Sequence, residues 1–164
     1  PFREMSAATW WRRLRGQLFV LRAANHRHFG NLYGDPDAYW SAIADLTRAI
    51  DLDPTNVRAH VMRGTLYWRE LRDTERAIRD LSRAWELDGS CWEALMNRAL
   101  ARQDAGAWAG ARADLEHNLP HAPDGSWKAA AGRLREELRS LVSSQASAPP
   151  AGEGPEDSAP RDGS

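Results

Sequence analysis

Apolar residues recur three and four positions apart along most of the chain, which is the spacing of one face of an α-helix. Short polar segments rich in Asp, Gly and Thr interrupt this pattern at five places: residues 35–37, 52–56, 71–74, 87–90 and 104–106. No segment alternates apolar and polar residues over the length of a strand. The pattern therefore predicts an all-α fold of antiparallel helical hairpins joined by short turns.

The two ends of the chain differ from its middle. Residues 1–22 carry apolar residues at helical spacing beside several arginines, which predicts a basic amphipathic helix. Residues 126–142 repeat the helical pattern and predict a C-terminal capping helix. Residues 143–164 are rich in Ser, Pro, Gly and acidic residues and have no apolar periodicity, so we expect a disordered tail.

Three copies of one sequence phrase occur at a nearly constant interval. LTRAIDLDPTN fills residues 46–56, LSRAWELDGSC fills residues 81–91, and LEHNLPHAPDG fills residues 115–125. A period of about 34 residues that contains two helices is typical of α-solenoids, in which each hairpin buries its apolar face against the next.

The residues at this spacing resemble the tetratricopeptide repeat (TPR) family. The matching positions are Gly30, Tyr33, Ala42, Ala49 and Pro54 in the first copy, Gly64, Tyr67, Ala77 and Ala84 in the second, and Ala99 and Ala111 in the third. The resemblance implies three repeats, residues 23–56, 57–91 and 92–125. It also implies a right-handed α-solenoid, to which the N-terminal helix and the C-terminal capping helix are added.

Small residues explain the repeat, because two helices approach closely only where both present small side chains. We expect Gly30 to lie against Ala42, and Gly64 against Ala77. The third copy departs from the pattern at Pro120, which removes a helical hydrogen bond and predicts a short second helix there.

Composition narrows the classes of function. The formal net charge is −1 and 27% of the residues are charged, so nothing indicates a nucleic-acid partner. The single cysteine, Cys91, forms no internal disulfide, which favours a reducing, cytoplasmic location. The longest apolar run near the N-terminus, residues 18–21, is too short for a signal peptide or a membrane span. The eight tryptophans are expected to be core or half-buried anchors.

No motif predicts catalysis, a cofactor or a metal. His26 and His60 occupy equivalent sites of two repeats, but no Cys or carboxylate completes a metal-ligand spacing, so we interpret them as packing residues. Cys91 precedes a predicted helix and is interpreted as a packing residue, not a nucleophile. Phosphate-binding glycine loops are missing from the sequence. We therefore expect a protein that is not an enzyme.

The resemblance implies that binding occurs on the concave face, which the first helix of each repeat lines. The predicted groove residues are Arg27, Asn31, Arg58, Met62, Thr65, Trp68, Arg69, Met96, Asn97 and Leu100. Arginine suits a carboxylate, and Trp and Met suit apolar side chains, so the set favours a peptide or protein partner. Alternatively, these residues form an ordinary solvated face of a scaffold that binds no specific peptide.

Some TPR domains grip the C-terminal carboxylate of chaperones with asparagines and basic residues. Arg27 and Asn31 fit the first part of that clamp. Met62 stands where the second repeat should offer Asn, and Glu93 and Asn97 stand where Lys and Arg are expected. The sequence therefore disfavours a chaperone tail as the partner.

The N-terminal segment WWRRLRGQ allows two interpretations. Paired tryptophans beside arginines suit a membrane interface or an anionic partner. A helix whose tryptophans cover the open edge of the first repeat is the interpretation that we favour, so a membrane partner is not expected. Two functions follow for the chain: a non-catalytic interaction scaffold, or an architectural module that either associates with itself as a homo-oligomer or belongs to a larger repeat protein.

Overall fold

The computed structural model describes residues 6–120 and 125–147, and the described residues form helices and turns without a strand. The helices are α1 (Ala7–Tyr33), α2 (Pro36–Leu52), α3 (Val57–Arg69), α4 (Thr74–Leu87), α5 (Trp92–Asp104), α6 (Trp108–Asn118) and α7 (Ser126–Ser147). The predicted all-α fold is confirmed.

Side-chain caps and a repeated turn end the helices where the sequence changes. Asp35, Asn56 and Asp73 each accept a hydrogen bond from the backbone of the helix that follows. After α2, the carboxylate of Asp53 accepts bonds from the backbone and hydroxyl of Thr55, and Asp88 is bonded to Ser90 in the same way after α4. The recurring LDPT and LDGS phrases are therefore the same turn.

The helices pair as hairpins that stack along the chain. α1 packs on α2, α3 on α4 and α5 on α6, while α7 packs against α6. Each apolar core lies between one hairpin and the first helix of the next: one joins α1, α2 and α3, the second joins α3, α4 and α5, and the third joins α5, α6 and α7. The core is thus continuous through the stack, as expected of a solenoid.

The ends of three helices can be compared with the predicted boundaries. α1 continues without a break through residue 22, because no helix-breaking residue separates the basic segment from the first repeat. α7 runs to Ser147, beyond the predicted end at residue 142. The rest of the predicted tail, residues 148–164, lies outside the described residues. α6 ends at Asn118, two residues before Pro120, and is shorter than α2 and α4.

The small residues of the repeat are buried, but one close contact is not the predicted one. A Cβ added to Gly64 would lie 2.8 Å from Leu81 Cγ and 3.2 Å from the carbonyl oxygen of Ala77. A Cβ added to Gly30 would instead meet the ring of Tyr39 at 2.6 Å. The repeat alanines are fully buried: Ala42, Ala49, Ala77, Ala84, Ala99 and Ala111. Pro54 lies exposed in the turn after α2.

The aromatic residues divide between the core and the surface. Trp68 is buried, Tyr67 and Trp85 are partly buried, and the side chain of Trp127 is outside the described set. Trp10, Trp11 and Trp40 are about half exposed, and Tyr33 is 71% exposed and stacks on Phe29. The favoured interpretation required the N-terminal tryptophans to cover the edge of the first hairpin, but Trp10 and Trp11 leave about half of their surface exposed. They belong to α1, which is itself the outer helix of that hairpin.

A buried aspartate with an arginine partner recurs in the three hairpins. Asp45 on α2, Asp80 on α4 and Asp114 on α6 are all buried. They form ion pairs with Arg22 on α1, Arg63 on α3 and Arg98 on α5, respectively. Arg63 reaches both carboxylate oxygens of its partner at 2.7 and 2.8 Å, and Arg98 does so at 2.9 and 2.6 Å.

The same arginines connect neighbouring hairpins. Arg63 also donates to the hydroxyl of Thr47 on α2 at 3.0 Å, and Arg98 donates to that of Ser82 on α4 at 3.0 Å. Burial is the largest single effect and would raise the pKa of Asp80. The hydrogen bonds and charge of Arg63, together with the nearby His60, outweigh it, so the pKa of Asp80 lies below its usual value. His60 Nδ1 is 3.6 Å from the same carboxylate, which is too far for a hydrogen bond.

We predict that Gly64→Ala lowers the free energy of unfolding by about 1–3 kcal/mol, because the added methyl group overlaps Leu81 and the backbone of α4. Urea unfolding followed by circular dichroism measures the change. Gly132→Ala on α7 is the control, since a Cβ there meets no atom within 4 Å. Equal effects of the two variants would show that α3 and α4 do not approach as closely as described.

We predict that Asp80→Asn costs about 3 kcal/mol at pH 7, because it leaves the partly buried Arg63 without its counter-charge. The lowered pKa of Asp80 also makes stability depend on pH. The ionised Asp80 contributes its full share of stability to the folded state above the unfolded pKa of about 3.9. This share is lost as the pH falls through the lower pKa of the folded state. Urea unfolding at pH 7 and pH 3 should show a smaller acid loss for Asp80→Asn than for the wild type. The control Glu75→Gln, at an exposed site, should lose as much unfolding free energy between pH 7 and pH 3 as the wild type does. An equally large loss in Asp80→Asn would show that Asp80 does not cause the pH dependence.

Candidate partner-binding groove

Two adjoining depressions form a groove on the face that the first helices of the three hairpins share. The larger, about 400 Å³, is lined by Arg27, Val57, Arg58, Val61, Met62, Cys91 and Glu93. The smaller, about 240 Å³, is lined by Arg27, Thr65, Arg69, Trp92, Glu93, Met96 and Asn97. Because Arg27 and Glu93 line both depressions, the groove is continuous across α1, α3 and α5.

Helical periodicity brings these side chains to one face. On α3, Arg58, Met62, Thr65 and Arg69 follow one another at intervals of three or four residues. On α5, Met96 lies one turn after Trp92. Seven predicted residues lie in the groove: Arg27, Arg58, Met62, Thr65, Arg69, Met96 and Asn97.

Three predicted groove residues lie elsewhere. Trp68 is 9% exposed, belongs to the core between the second and third hairpins, and donates its indole N–H to Asp104 at 2.6 Å. Leu100 packs between two cores. Asn31 lines neither depression and accepts a hydrogen bond from the hydroxyl of Tyr39 at 3.1 Å. These contacts are structural, so Trp68 does not supply the aromatic anchor of the groove.

Sequence reasoning missed Trp92, Val57 and Cys91. Trp92 and Val57 are the first residues of α5 and α3. Trp92 lies one turn before Met96 and Val57 one turn before Val61, which lines the same depression, so this spacing could have identified both. Burial raises the pKa of the Cys91 thiol, and the charges of Glu93 and Asp88 raise it further. The thiol is therefore protonated at neutral pH, which does not suit a nucleophile.

The groove carries arginines whose charge the protein does not neutralise. In the described residues neither Arg27 nor Arg58 has an ion pair or hydrogen bond, unlike Arg63 and Arg98 inside the hairpins. The guanidinium of Arg69 lies 5.1 Å from the ring centroid of Trp68. Glu93 is the only acidic residue that lines the two described depressions, so positive charge dominates.

The bottom of the groove is apolar. Met62 and Met96 are each 8% exposed, so they form its floor and not its rim. Asn97 donates to the hydroxyl of Thr65 at 3.2 Å, which in turn donates to the carbonyl of Val61 at 2.8 Å. This chain of hydrogen bonds holds the α3 and α5 sides of the groove together. The arrangement can receive an apolar side chain on the methionines and a carboxylate at the arginines.

Neither a metal centre nor a membrane span is found in the part of the chain that the structure describes. No three His, Cys, Asp or Glu residues of that part come together as metal ligands. His26 lies 3.7 Å from Asp45, and His60 Nε2 lies 3.2 Å from the carbonyl of Pro54. Among the described helices, none has the length and hydropathy that crossing a bilayer requires.

Comparison with known proteins gave one similar sequence among curated proteins and many similar structures. No family model matches the chain. A FAM10 family protein of Arabidopsis thaliana is 38% identical over 74 residues, which are 45% of this chain and 17% of that protein. The chain therefore spans about a sixth of the length of this relative.

Solved TPR domains share the fold over most of their length. The first TPR domain of human RPAP3 is 26% identical, with a TM-score of 0.61 over 77% of this chain and 98% of that one. The first TPR of Spaghetti (RPAP3), solved with the HSP90 peptide SRMEEVD, is 25% identical, with a TM-score of 0.61 over 76% and 95%. The Arabidopsis OM64 TPR domain is 22% identical, with a TM-score of 0.67 over 79% and 98%, and shows the fold alone.

We predict that Trp68→Ala lowers the free energy of unfolding by about 3–5 kcal/mol, because it removes a buried indole and its bond to Asp104. Arg69→Ala should change it by less than about 0.5 kcal/mol, since this side chain is exposed. Chemical unfolding of the two variants measures both effects. A small loss for Trp68→Ala would place the indole on the binding surface, as the sequence predicted.

Proposed function

The chain is a tetratricopeptide-repeat protein, and from that premise we propose that it is a non-catalytic interaction module whose groove binds an extended segment of a protein partner. The segment combines acidic and apolar residues. The observation that carries the proposal is the pair of unneutralised arginines, Arg27 and Arg58, beside the methionine floor of the groove.

The unneutralised arginines supply recognition of carboxylates. A guanidinium binds a carboxylate through two parallel hydrogen bonds, and such charge-assisted bonds are stronger than neutral ones. Arg27 comes from α1 and Arg58 from α3, so a carboxylate between them contacts two hairpins. This position lies in the larger depression, which is roomier than the part lined by Arg69.

The floor supplies recognition of an apolar side chain. Met62 and Met96 present polarizable thioether side chains that adapt to different apolar partners. Trp92 stands at the edge of the smaller depression and adds aromatic surface, the residue type most enriched among residues that dominate binding. An apolar residue between two acidic ones would therefore place each side chain against a matching surface.

The peptide-bound relative supports this kind of ligand but not the same mode of binding. The Spaghetti TPR carries the peptide SRMEEVD, which combines acidic residues with Met and Val. In this chain Glu93 lines both depressions, where a basic residue would be needed to hold a terminal carboxylate. We propose that the acidic residues of the partner bind Arg27 and Arg58, whose two positive charges outnumber the single negative charge of Glu93 in the same depression, and that a free C-terminus is not required.

We propose a reducing compartment such as the cytoplasm for this interaction. The single cysteine supports this location, because the chain forms no internal disulfide that an oxidising compartment would maintain. No catalytic step is part of the proposal.

The test is fluorescence anisotropy with labelled seven-residue peptides that combine acidic and apolar residues, each with a free and an amidated C-terminus; SRMEEVD is one member. We expect binding that weakens as salt rises and that amidation leaves unchanged. Arg27→Ala with Arg58→Ala should weaken it at least tenfold, or about 1.4 kcal/mol.

The control variant is Arg79→Ala with Arg83→Ala, which removes the same charge from the exposed face of α4. It should bind as the wild type does, and circular dichroism should show equal helicity in all three proteins. Equal binding by the groove variant and the control would place the ligand outside the groove. The proposal would also fail if no acidic–apolar peptide bound the wild type.

A further inference from the structure

The outward face of α1 is a long apolar stripe that no other element covers in the described residues. We define the α1 stripe as Trp11, Leu14, Leu18, Leu21 and Leu32, which are 57%, 38%, 59%, 54% and 60% exposed. The opposite face of the same helix is buried at Gly16, Val20, Ala23 and Gly30, against α2 and the first core. Among the described helices, the stripe thus lies on the side of α1 away from the helices that follow.

The spacing of the stripe is that of a coiled-coil seam. The stripe and the residues between its members are separated alternately by three and four residues over three heptads, at positions 11, 14, 18, 21, 25, 28 and 32. In heptad notation, Trp11, Leu18, Asn25 and Leu32 occupy a, while Leu14, Leu21 and His28 occupy d. A single asparagine at an a position is the residue that fixes register in parallel two-stranded coiled coils. Asn25 is exposed on this face.

We propose that the chain forms a two-fold dimer in which the α1 helices of two copies pack in parallel along this stripe. Asn25 of one copy then lies beside Asn25 of the other, where the two amides can hydrogen-bond. The proposal is independent of the groove, because Arg27 lies on a different side of α1.

Charge favours the parallel over the antiparallel orientation. α1 contains five arginines and no acidic residue. Arg15 and Arg22 occupy e positions, which face other e positions in an antiparallel pair. Asp45 already binds Arg22, so the repulsion in that orientation comes from Arg15, which has no acidic partner among the described residues. In a parallel pair, Arg22 lies opposite Gln17 of the second copy, and Arg15 lies opposite Trp10, whose ring attracts a cation.

The area of the stripe is sufficient for a stable dimer. Together with the half-exposed Trp10 and Phe29 beside it, the stripe exposes on the order of 700 Å² in each copy, close to the roughly 800 Å² that each partner of a standard interface buries. Asn25 and His28 separate Leu32 from the other members of the stripe, but the summed apolar area is larger than the largest apolar patch of a typical monomeric soluble protein.

A lipid surface fits the stripe less well. Interfacial helices place basic residues along the rim of their apolar face, where they meet anionic headgroups. Arg12 and Arg13 point back to the end of α2, where Arg12 donates to the carbonyl of Asp51 at 3.4 Å and Arg13 lies 3.8 Å from Asp53. Arg22 is paired with Asp45, which leaves Arg15 as the one arginine beside the stripe without an acidic partner among the described residues.

The first test is sedimentation velocity of the full chain from 1 to 200 μM, with Leu18→Glu/Leu21→Glu as the variant. We expect a dimer for the wild type and a monomer of unchanged helicity for the variant, since both leucines are exposed in one copy. Ala109→Glu/Ala113→Glu is the control, because it adds the same charge to exposed positions of α6 at the other end of the stack. It should remain a dimer. A monomeric wild type at all concentrations, or a dimeric leucine variant, would overturn the proposal.

The second test determines the orientation by disulfide crosslinking. Leu32→Cys near the end of α1 should join two copies in a Cys91→Ser background, because a parallel pair brings both residues 32 together. An antiparallel pair would separate them by tens of ångströms and give no crosslink, which would contradict the proposed orientation.

A lipid surface is the competing occupant of the stripe, and vesicles with equal amounts of phosphatidylcholine and phosphatidylserine test it. We expect the wild type to stay in solution as a dimer when they are added. Binding that requires Leu18 and Leu21, by a wild type that is monomeric in solution, would identify a lipid surface as the occupant and overturn the dimer.

Discussion

Each hairpin buries a carboxylate between its two helices, and the arrangement of the stack depends on neutralising it. Asp80 and Asp114 are tolerated in the interior because Arg63 and Arg98 contact both carboxylate oxygens. A bidentate pair fixes distance and direction, so it restricts how the first helix of a hairpin lies on the second. The hydroxyl bonds to Thr47 and Ser82 extend this restraint to the preceding hairpin.

The groove follows from this restraint. Arg63 stands on α3 beside Met62 and two residues before Thr65, so the ion pair orients the helix that supplies the middle of the groove. Arg98 does the same for α5, one residue after Asn97. The described arginines thus include those bound to aspartates inside the hairpins and, in the groove, Arg27 and Arg58, which have no acidic partner among the described residues.

The small residues of the repeat were enough to predict three hairpins and their order, because they follow a period that a single sequence displays. The groove residues were implied by the resemblance that rests on this period, and seven of them line the two depressions. The buried aspartates follow the same period, as residues 45, 80 and 114, but a charged residue on an amphipathic helix is ordinarily solvated, and its partner lies far away in sequence. Trp68 was placed in the groove because helical register puts it on the same side as Thr65. The approach of Asp104 from α5 decides its burial, and no local pattern encodes that contact.

A double-mutant cycle between Arg63 and Asp80 tests most directly whether the buried pair holds the second hairpin. Arg63→Met and Asp80→Leu should each cost about 3 kcal/mol of unfolding free energy, and the double variant should cost about 2 kcal/mol less than their sum, since it leaves no buried charge unpaired. The exposed pair Arg79 and Glu75 should show almost no coupling in the same measurement. Additive losses at Arg63 and Asp80 would contradict the account.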